Sequence, residues 1–119
     1  MPRVMLIEDD ATMMSLLNTL LDLEGFDTVL SSGDSAESYA SAVIQELPDA
    51  LLLDVHLRHV NGLDILKAVR STPAGHNVKI IMTSGMNVGD DCLKFGADGF
   101  LLKPYMPDEL INWLRANCS

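Results

Sequence analysis

Five short apolar runs set the limits on how this chain can fold. They are Val4-Met5-Leu6-Ile7, Phe26 to Leu30, Ala50-Leu51-Leu52-Leu53, Val78 to Met82 and Gly99 to Leu102. Each has the length of a strand and is too short for a core helix; the first suits burial on both faces, and the second is weaker because Asp27 interrupts it. Amphipathic stretches lie between them. Met13, Leu16, Leu17, Leu20 and Leu21 recur at helical spacing, and Gly25 closes that pattern as a C-cap would. Ser35 to Leu47 reads as a second helix, with Asp34 or Ser35 near its N-cap and Pro48 beyond its end. Leu63 to Val69 reads as a third. Pro107 suits the first turn of a last helix, ahead of Asp108, Glu109 and an inner stripe of Leu110, Ile111 and Leu114. The fourth helix is the weakest. Residues 83–98 must hold loop, helix and loop with Gly85, Gly89 and Gly96, which limits it to about two turns.

The strand–helix units repeat at roughly 20 to 30 residues, the βαβ length. Right-handed crossovers then give an α/β fold, a doubly wound five-stranded parallel sheet with helices on both faces. At 119 residues the chain fits one domain, spanning 1–119.

Charge narrows the function. There are 17 Asp and Glu against 8 Lys and Arg, a net charge of −9. A chain with no basic stripe is not expected to bind DNA or other nucleic acid. Cys92 and Cys118 form no CxxC and, with the histidines, no zinc pattern, so they read as free thiols in a reducing compartment. The first apolar run meets Glu8-Asp9-Asp10 at once, leaving no room for a signal peptide. No run approaches the roughly 18 residues of a membrane span. A cytoplasmic location without membrane contact is the expectation.

In a doubly wound sheet, ligands bind outside the carboxyl ends of the strands, near the switch in strand order. The first strand ends in Glu8, Asp9 and Asp10, and the third runs straight into Asp54. The fourth ends in Thr83 and Ser84, the fifth in Lys103. Gathered carboxylates raise each other's pKa unless a cation neutralises them. Hard oxygens suit Mg²⁺, which takes one or two carboxylates, carbonyls and waters. A divalent ion and an ammonium beside an ionised Asp suit phosphoryl transfer, with the carboxylate as nucleophile. Taken singly, the acidic triplet could be a helix entry, Asp54 a cap and Lys103 a surface lysine. Together, at the ends of different strands, they read as a site.

These motifs resemble the receiver domain of two-component response regulators over essentially the whole chain. The resemblance rests on Glu8-Asp9 after an apolar strand, Leu51-Leu52-Leu53-Asp54 and Asn61-Gly62. It continues through Ile80-Ile81-Met82-Thr83-Ser84-Gly85 and Gly96-Ala97-Asp98-Gly99-Phe100-Leu101-Leu102-Lys103-Pro104. It implies the flavodoxin-like receiver fold, with Asp54 as phosphoacceptor. Asp9 and Asp54 are implied as direct ligands of Mg²⁺ (or Mn²⁺), Glu8 as a partner through water and the His56 backbone carbonyl as a further ligand. Ser84 becomes the switch hydroxyl, with Thr83 the lesser candidate. Lys103 pairs with Asp54 and later with the phosphoryl group, and the Lys103–Pro104 peptide is expected to be cis. Phe100 stands where the family has a rotating aromatic. His56 and Met86 occupy variable positions beside the site, and Asp10 is a bystander. The segment from Ser84 to Gly96 is shorter than the family's usual pattern, so the common dimer through that face is not expected and the oligomeric state stays open.

The implied function is a phosphorylation-dependent switch, phosphorylated by a histidine kinase or a small acyl phosphate. No output domain is expected after the last helix. The signal would pass to a downstream target protein, or the phosphoryl group to a histidine phosphotransfer protein. Apart from self-phosphorylation and autodephosphorylation, no enzyme activity is expected. A metal-dependent phosphohydrolase would want a second acid or base soon after Asp54, where Val55 and His56 stand. A flavodoxin-like cofactor site would want a phosphate-cradling loop where Glu8-Asp9-Asp10 stand.

Overall fold

A computed structural model describes residues 1–118. Eleven elements follow one another: β1 (Arg3–Ile7), α1 (Ala11–Leu23), β2 (Asp27–Leu30), α2 (Ala36–Glu46), β3 (Ala50–Asp54), α3 (Gly62–Arg70), a 3-10 turn (Pro73–Asn77), β4 (Lys79–Ser84), α4 (Gly89–Lys94), β5 (Gly99–Leu102) and α5 (Pro107–Asn117). The strands pair in parallel in the order β2-β1-β3-β4-β5. Strand order therefore reverses between β1 and β3, which opens a crevice at their carboxyl ends.

The period-2 alternation of strand side chains divides the core in two. Val4, Leu6, Ala50, Leu52 and Ile81 face Leu17 and Leu21 of α1 and Leu110, Ile111 and Leu114 of α5. Met5, Ile7, Leu51, Leu53, Ile80 and Met82 face Tyr39, Ala40 and Val43 of α2, Ile65, Leu66 and Val69 of α3, and Cys92 of α4. All five residues of β3 are buried, which explains why that run reads as unbroken leucine ending in an acid.

The helix ends follow their capping chemistry. Asp10 accepts from the N–H groups of Thr12 and Met13 at 2.9 and 3.1 Å and caps α1. The helix consequently begins at Ala11, before the first apolar residue of the stripe. Leu16 is a correction to that stripe: it is half exposed, while Leu17 and Leu21 are buried. Ser35 caps α2 through Ser38 N–H at 3.1 Å, and Asn61 caps α3 through Leu63 N–H at 2.9 Å. The 3-10 turn at Pro73–Asn77 carries no periodic apolar pattern and is absent from the sequence reading. Arg70 holds it in place, donating to the carbonyls of Gly75 at 2.6 Å, Val78 at 2.8 Å and Gly96 at 2.9 Å, while pairing with Asp98 at 2.9 Å. α4 has six residues and no side-chain N-cap, in line with the expected short helix. No helix among the described residues is long and apolar enough to cross a membrane.

Candidate phosphoryl-transfer site

Glu8, Asp9, Asp10, Ala11, Asp54, His56, Arg58 and Lys103 line one cavity of about 470 Å³ at the carboxyl ends of β1, β3 and β5. Every acid singled out in the sequence is therefore brought to one place. Strand register explains how. Leu6 pairs with Leu52 and Ile7 with Leu53, so the residues that follow, Glu8 and Asp54, emerge side by side. Lys103 reaches across from the end of β5. Its Nζ lies 2.9 Å from Glu8 Oε1 and 3.0 Å from Asp54 Oδ2. The Lys103–Pro104 peptide is cis, as the resemblance implied.

The remaining carboxylate oxygens have distinct partners. Asp54 Oδ1 accepts from the His56 N–H at 3.0 Å, and Glu8 Oε2 accepts from the Asp9 N–H at 3.0 Å. Asp9 Oδ2 accepts from the backbone N–H of Arg58. Asp9 Oδ1 has no protein donor among the described residues, which leaves it open to a ligand. Asp10 turns to capping α1.

Electrostatics set the demand for a cation. The Glu8 side chain is only 6% exposed and that of Asp54 only 8%. Burial lifts the Glu8 carboxyl above its usual pKa, the hydrogen bond and charge of Asp54 lift it further, and Lys103 pulls the other way. Burial also works against the charge on Lys103. Its hydrogen bonds to Glu8 and Asp54, and their charges, outweigh that and raise its pKa. One ammonium thus serves two buried carboxylates.

The donor set fits Mg²⁺. Asp9, Asp54 and the carbonyl of His56 could hold the ion directly, with Glu8 behind a water. No group of three or more His, Cys, Asp or Glu side chains closes into a cage among the described residues. Mg²⁺ does not require such a cage, because it keeps several waters and takes few protein ligands.

The hydroxyls sit beside this cavity rather than in its lining. Thr83 pairs with Asp54 in the sheet register, and Ser84 is the next residue. Both are buried. Ser84 Oγ accepts from the Met86 N–H at 2.9 Å, which ties the hydroxyl to the start of the β4–α4 loop. Met86 itself is exposed. Phe100 is partly buried on β5 and packs over Gly89, the first residue of α4; a Cβ at Gly89 would stand 2.9 Å from the ring. His56 is exposed on the rim. Gly62 acquires a physical reason: a Cβ there would lie 2.2 Å from the carbonyl oxygen of Asp54. Arg58 was missed by the sequence reading. Its only signal is that it is the one Lys or Arg between Asp54 and Gly62.

Buried parallel strands, a crevice at the strand-order switch and an acid cluster answered by one lysine define a receiver-type module. The response regulator receiver domain model matches residues 4–115, and the chain belongs to that family. It is 39% identical over 119 residues to the transcriptional regulatory protein CpxR of Klebsiella pneumoniae, covering 98% of this chain and 49% of that protein. It is 35% identical over 117 residues to the DNA-binding response regulator MtrA of Mycobacterium leprae, covering 96% and 50%. The chain thus spans about half the length of these curated relatives. Among solved structures, a putative response regulator from Chloroflexus aurantiacus superposes with a TM-score of 0.85 at 27% identity, covering 97% of this chain and 95% of that one. The receiver domain of sensor histidine kinase PA1611 from Pseudomonas aeruginosa, with a magnesium ion coordinated in its active site cleft, superposes at 0.84 with 22% identity, covering 98% and 96%.

Proposed function

We propose that this chain is a phosphorylation-dependent switch that accepts a phosphoryl group on Asp54. The observation that carries this reading is the placement of Asp54. It is a nearly buried carboxylate at the carboxyl end of the central strand, held by Lys103 on one oxygen and by the His56 N–H on the other. A carboxylate held in this way is oriented for in-line attack and shielded from competing water.

The donor is a histidine kinase phosphohistidine or a small acyl phosphate. An Asp54 oxygen forms the bond to phosphorus. The bond from phosphorus to the leaving nitrogen or oxygen breaks, and its electron pair departs with the imidazole or the carboxylate. Mg²⁺, when bound, supplies charge neutralisation for the phosphoryl oxygens. Asp9, Asp54 and the His56 carbonyl would hold that ion, with Glu8 behind a water. Lys103 is freed from Asp54 to bind a phosphoryl oxygen. Ser84 then donates its O–H to a phosphoryl oxygen, and the β4–α4 loop, held to the same Ser84 oxygen by the Met86 N–H, is drawn in with it. That loop leads to Gly89, on which the Phe100 ring rests, so Phe100 turns as the loop moves.

The chain is on this reading a phosphoacceptor that self-phosphorylates and autodephosphorylates, not a hydrolase acting on other substrates. It works in the cytoplasm. Its altered surface engages a downstream protein, and passing the phosphoryl group to a histidine phosphotransfer protein is the second use of the same chemistry. Phosphotransfer profiling against the histidine kinases of the same genome tests the reading. One kinase should label the wild type rapidly and leave Asp54→Asn unlabelled. Equal labelling of the Asn variant would refute the acceptor assignment.

A further inference from the structure

Three of the four arginines are ion-paired: Arg3 with Asp27 and Glu46, Arg70 with Asp98, and Arg115 with Glu24. The fourth, Arg58, is exposed and makes no ion pair among the described residues, although Glu8, Asp9, Asp10 and Asp54 line the same cavity. Those acids are otherwise engaged. Glu8 and Asp54 share Lys103, Asp10 caps α1, and Asp9 takes the Arg58 backbone N–H rather than its guanidinium.

The root of the Arg58 side chain is nevertheless fixed. Its main chain is tied to Asp9, and its loop is closed by the bridge between His56 and Asn61 and by the Gly62 N–H donating to Val55 O at 2.7 Å. An un-neutralised guanidinium is thus anchored on the rim of an acidic cavity. Four carboxylates and two cations leave that lining with two negative charges, which one divalent ion offsets. Without Arg58, the metal-loaded cavity would still repel an incoming anion. A planar guanidinium also matches a pair of phosphoryl oxygens.

We propose that Arg58 captures the phosphoryl group of the incoming donor, holding its oxygens at the cavity rim before transfer. The proposal rests on the reading of Asp54 as acceptor. In the step it serves, an Asp54 oxygen bonds to phosphorus. The bond to the donor's bridging atom breaks, and the leaving group takes the electron pair. Arg58 takes no part in either bond; it binds the donor and steers it.

The test measures initial phosphorylation rates of the intact chain by intact mass, at saturating Mg²⁺. The donors are acetyl phosphate and phosphoramidate, one with an acyl and one with a nitrogen leaving group. Arg58→Ala should raise KM for both donors about tenfold while holding the saturated rate within about twofold, as loss of a charge-assisted contact at a solvent-facing site implies. Arg58→Lys should recover part of the loss and Arg58→Gln should not. The wild-type KM should climb with ionic strength and that of Arg58→Ala much less.

An unchanged KM in Arg58→Ala, with the wild type labelled on Asp54, would overturn the proposal. So would a rise confined to acetyl phosphate, which would place the contact on the acyl group. Mg²⁺ affinity, measured by calorimetry, should not fall in Arg58→Ala, because the backbone N–H to Asp9 remains and a rim cation is removed. A matching tenfold fall there would show that the side chain acts through the metal site, and would also overturn the proposal. Asp54→Asn separates the two levels: if it were labelled like wild type, the acceptor reading itself would fail, whatever Arg58 does.

Discussion

Glu8→Gln should stabilise the metal-free protein. Glu8 Oε1 lies 2.9 Å from Lys103 Nζ, and Asp54 Oδ2 lies 3.0 Å from the same nitrogen. At an effective dielectric of about 20, the Glu8–Lys103 attraction is about 6 kcal/mol, and the repulsion from the Asp54 carboxylate on the same ammonium is roughly 3 to 5 kcal/mol. Burying the Glu8 carboxylate costs several kcal/mol more, and the raised pKa of Glu8 shows that the costs win. Gln keeps an oxygen for Lys103 and removes the charge. It gives up the acceptor for the Asp9 N–H, which is near solvent and inexpensive to lose. The expected net gain is about 1 kcal/mol, or a rise in Tm of about 4 °C.

The pH dependence has a definite sign. Because the folded pKa of Glu8 is raised above the unfolded value near 4.5, its contribution is fully present below that value and is lost as pH rises through the folded pKa. The advantage of the Gln variant should therefore be present at pH 7.5 and shrink toward pH 4.5. Urea unfolding in EDTA, followed by Trp113 fluorescence, measures it. Added Mg²⁺ should stabilise the wild type and the variant less. A loss of more than 1 kcal/mol in Glu8→Gln at pH 7.5 without metal would refute the reasoning, because it would make the Glu8–Lys103 pair a net anchor of the fold.

Gly62→Ala would drive a Cβ to within 2.2 Å of Asp54 O and 2.8 Å of Val55 Cα, both backbone atoms. A loss of about 3 kcal/mol or more by urea unfolding is expected, from overpacking that a side-chain shift cannot relieve. Gly89→Ala would meet Phe100 Cδ2 at 2.9 Å. That ring can move, so the expected cost is under about 1.5 kcal/mol, together with altered Phe100 NMR shifts and an altered β4–α4 loop. Arg70→Ala removes three backbone contacts and the Asp98 ion pair at once. A loss of about 2 to 4 kcal/mol is expected, with early hydrogen exchange at the 3-10 turn and the α4–β5 loop.

The sheet was legible because its signal is periodic. Leu51-Leu52-Leu53 can be read as a strand buried on both faces, and the structure buries every residue of β3. The convergence of Glu8, Asp9, Asp54 and Lys103 follows from topology alone once parallel order is accepted. What stayed hidden depends on contacts that no spacing encodes. Leu16 matches the helical stripe, yet it is half exposed at the edge of the face that Leu17 and Leu21 bury. The 3-10 turn has no apolar period; it exists because Arg70 finds carbonyls there. Arg58 carries no motif, and its importance comes from a backbone N–H that meets Asp9 across the switch in strand order.

The central claim is that a phosphoryl group forms an acyl phosphate on Asp54. Borohydride reduction converts an aspartyl phosphate to homoserine, so the modified position can be read directly by peptide mass spectrometry. The chain is treated with acetyl phosphate and Mg²⁺, reduced and digested. Homoserine at position 54 and nowhere else, lost when Mg²⁺ is chelated, is the predicted result. Homoserine at another acid of the cavity, or phosphate retained on a residue that borohydride leaves intact, would contradict the account.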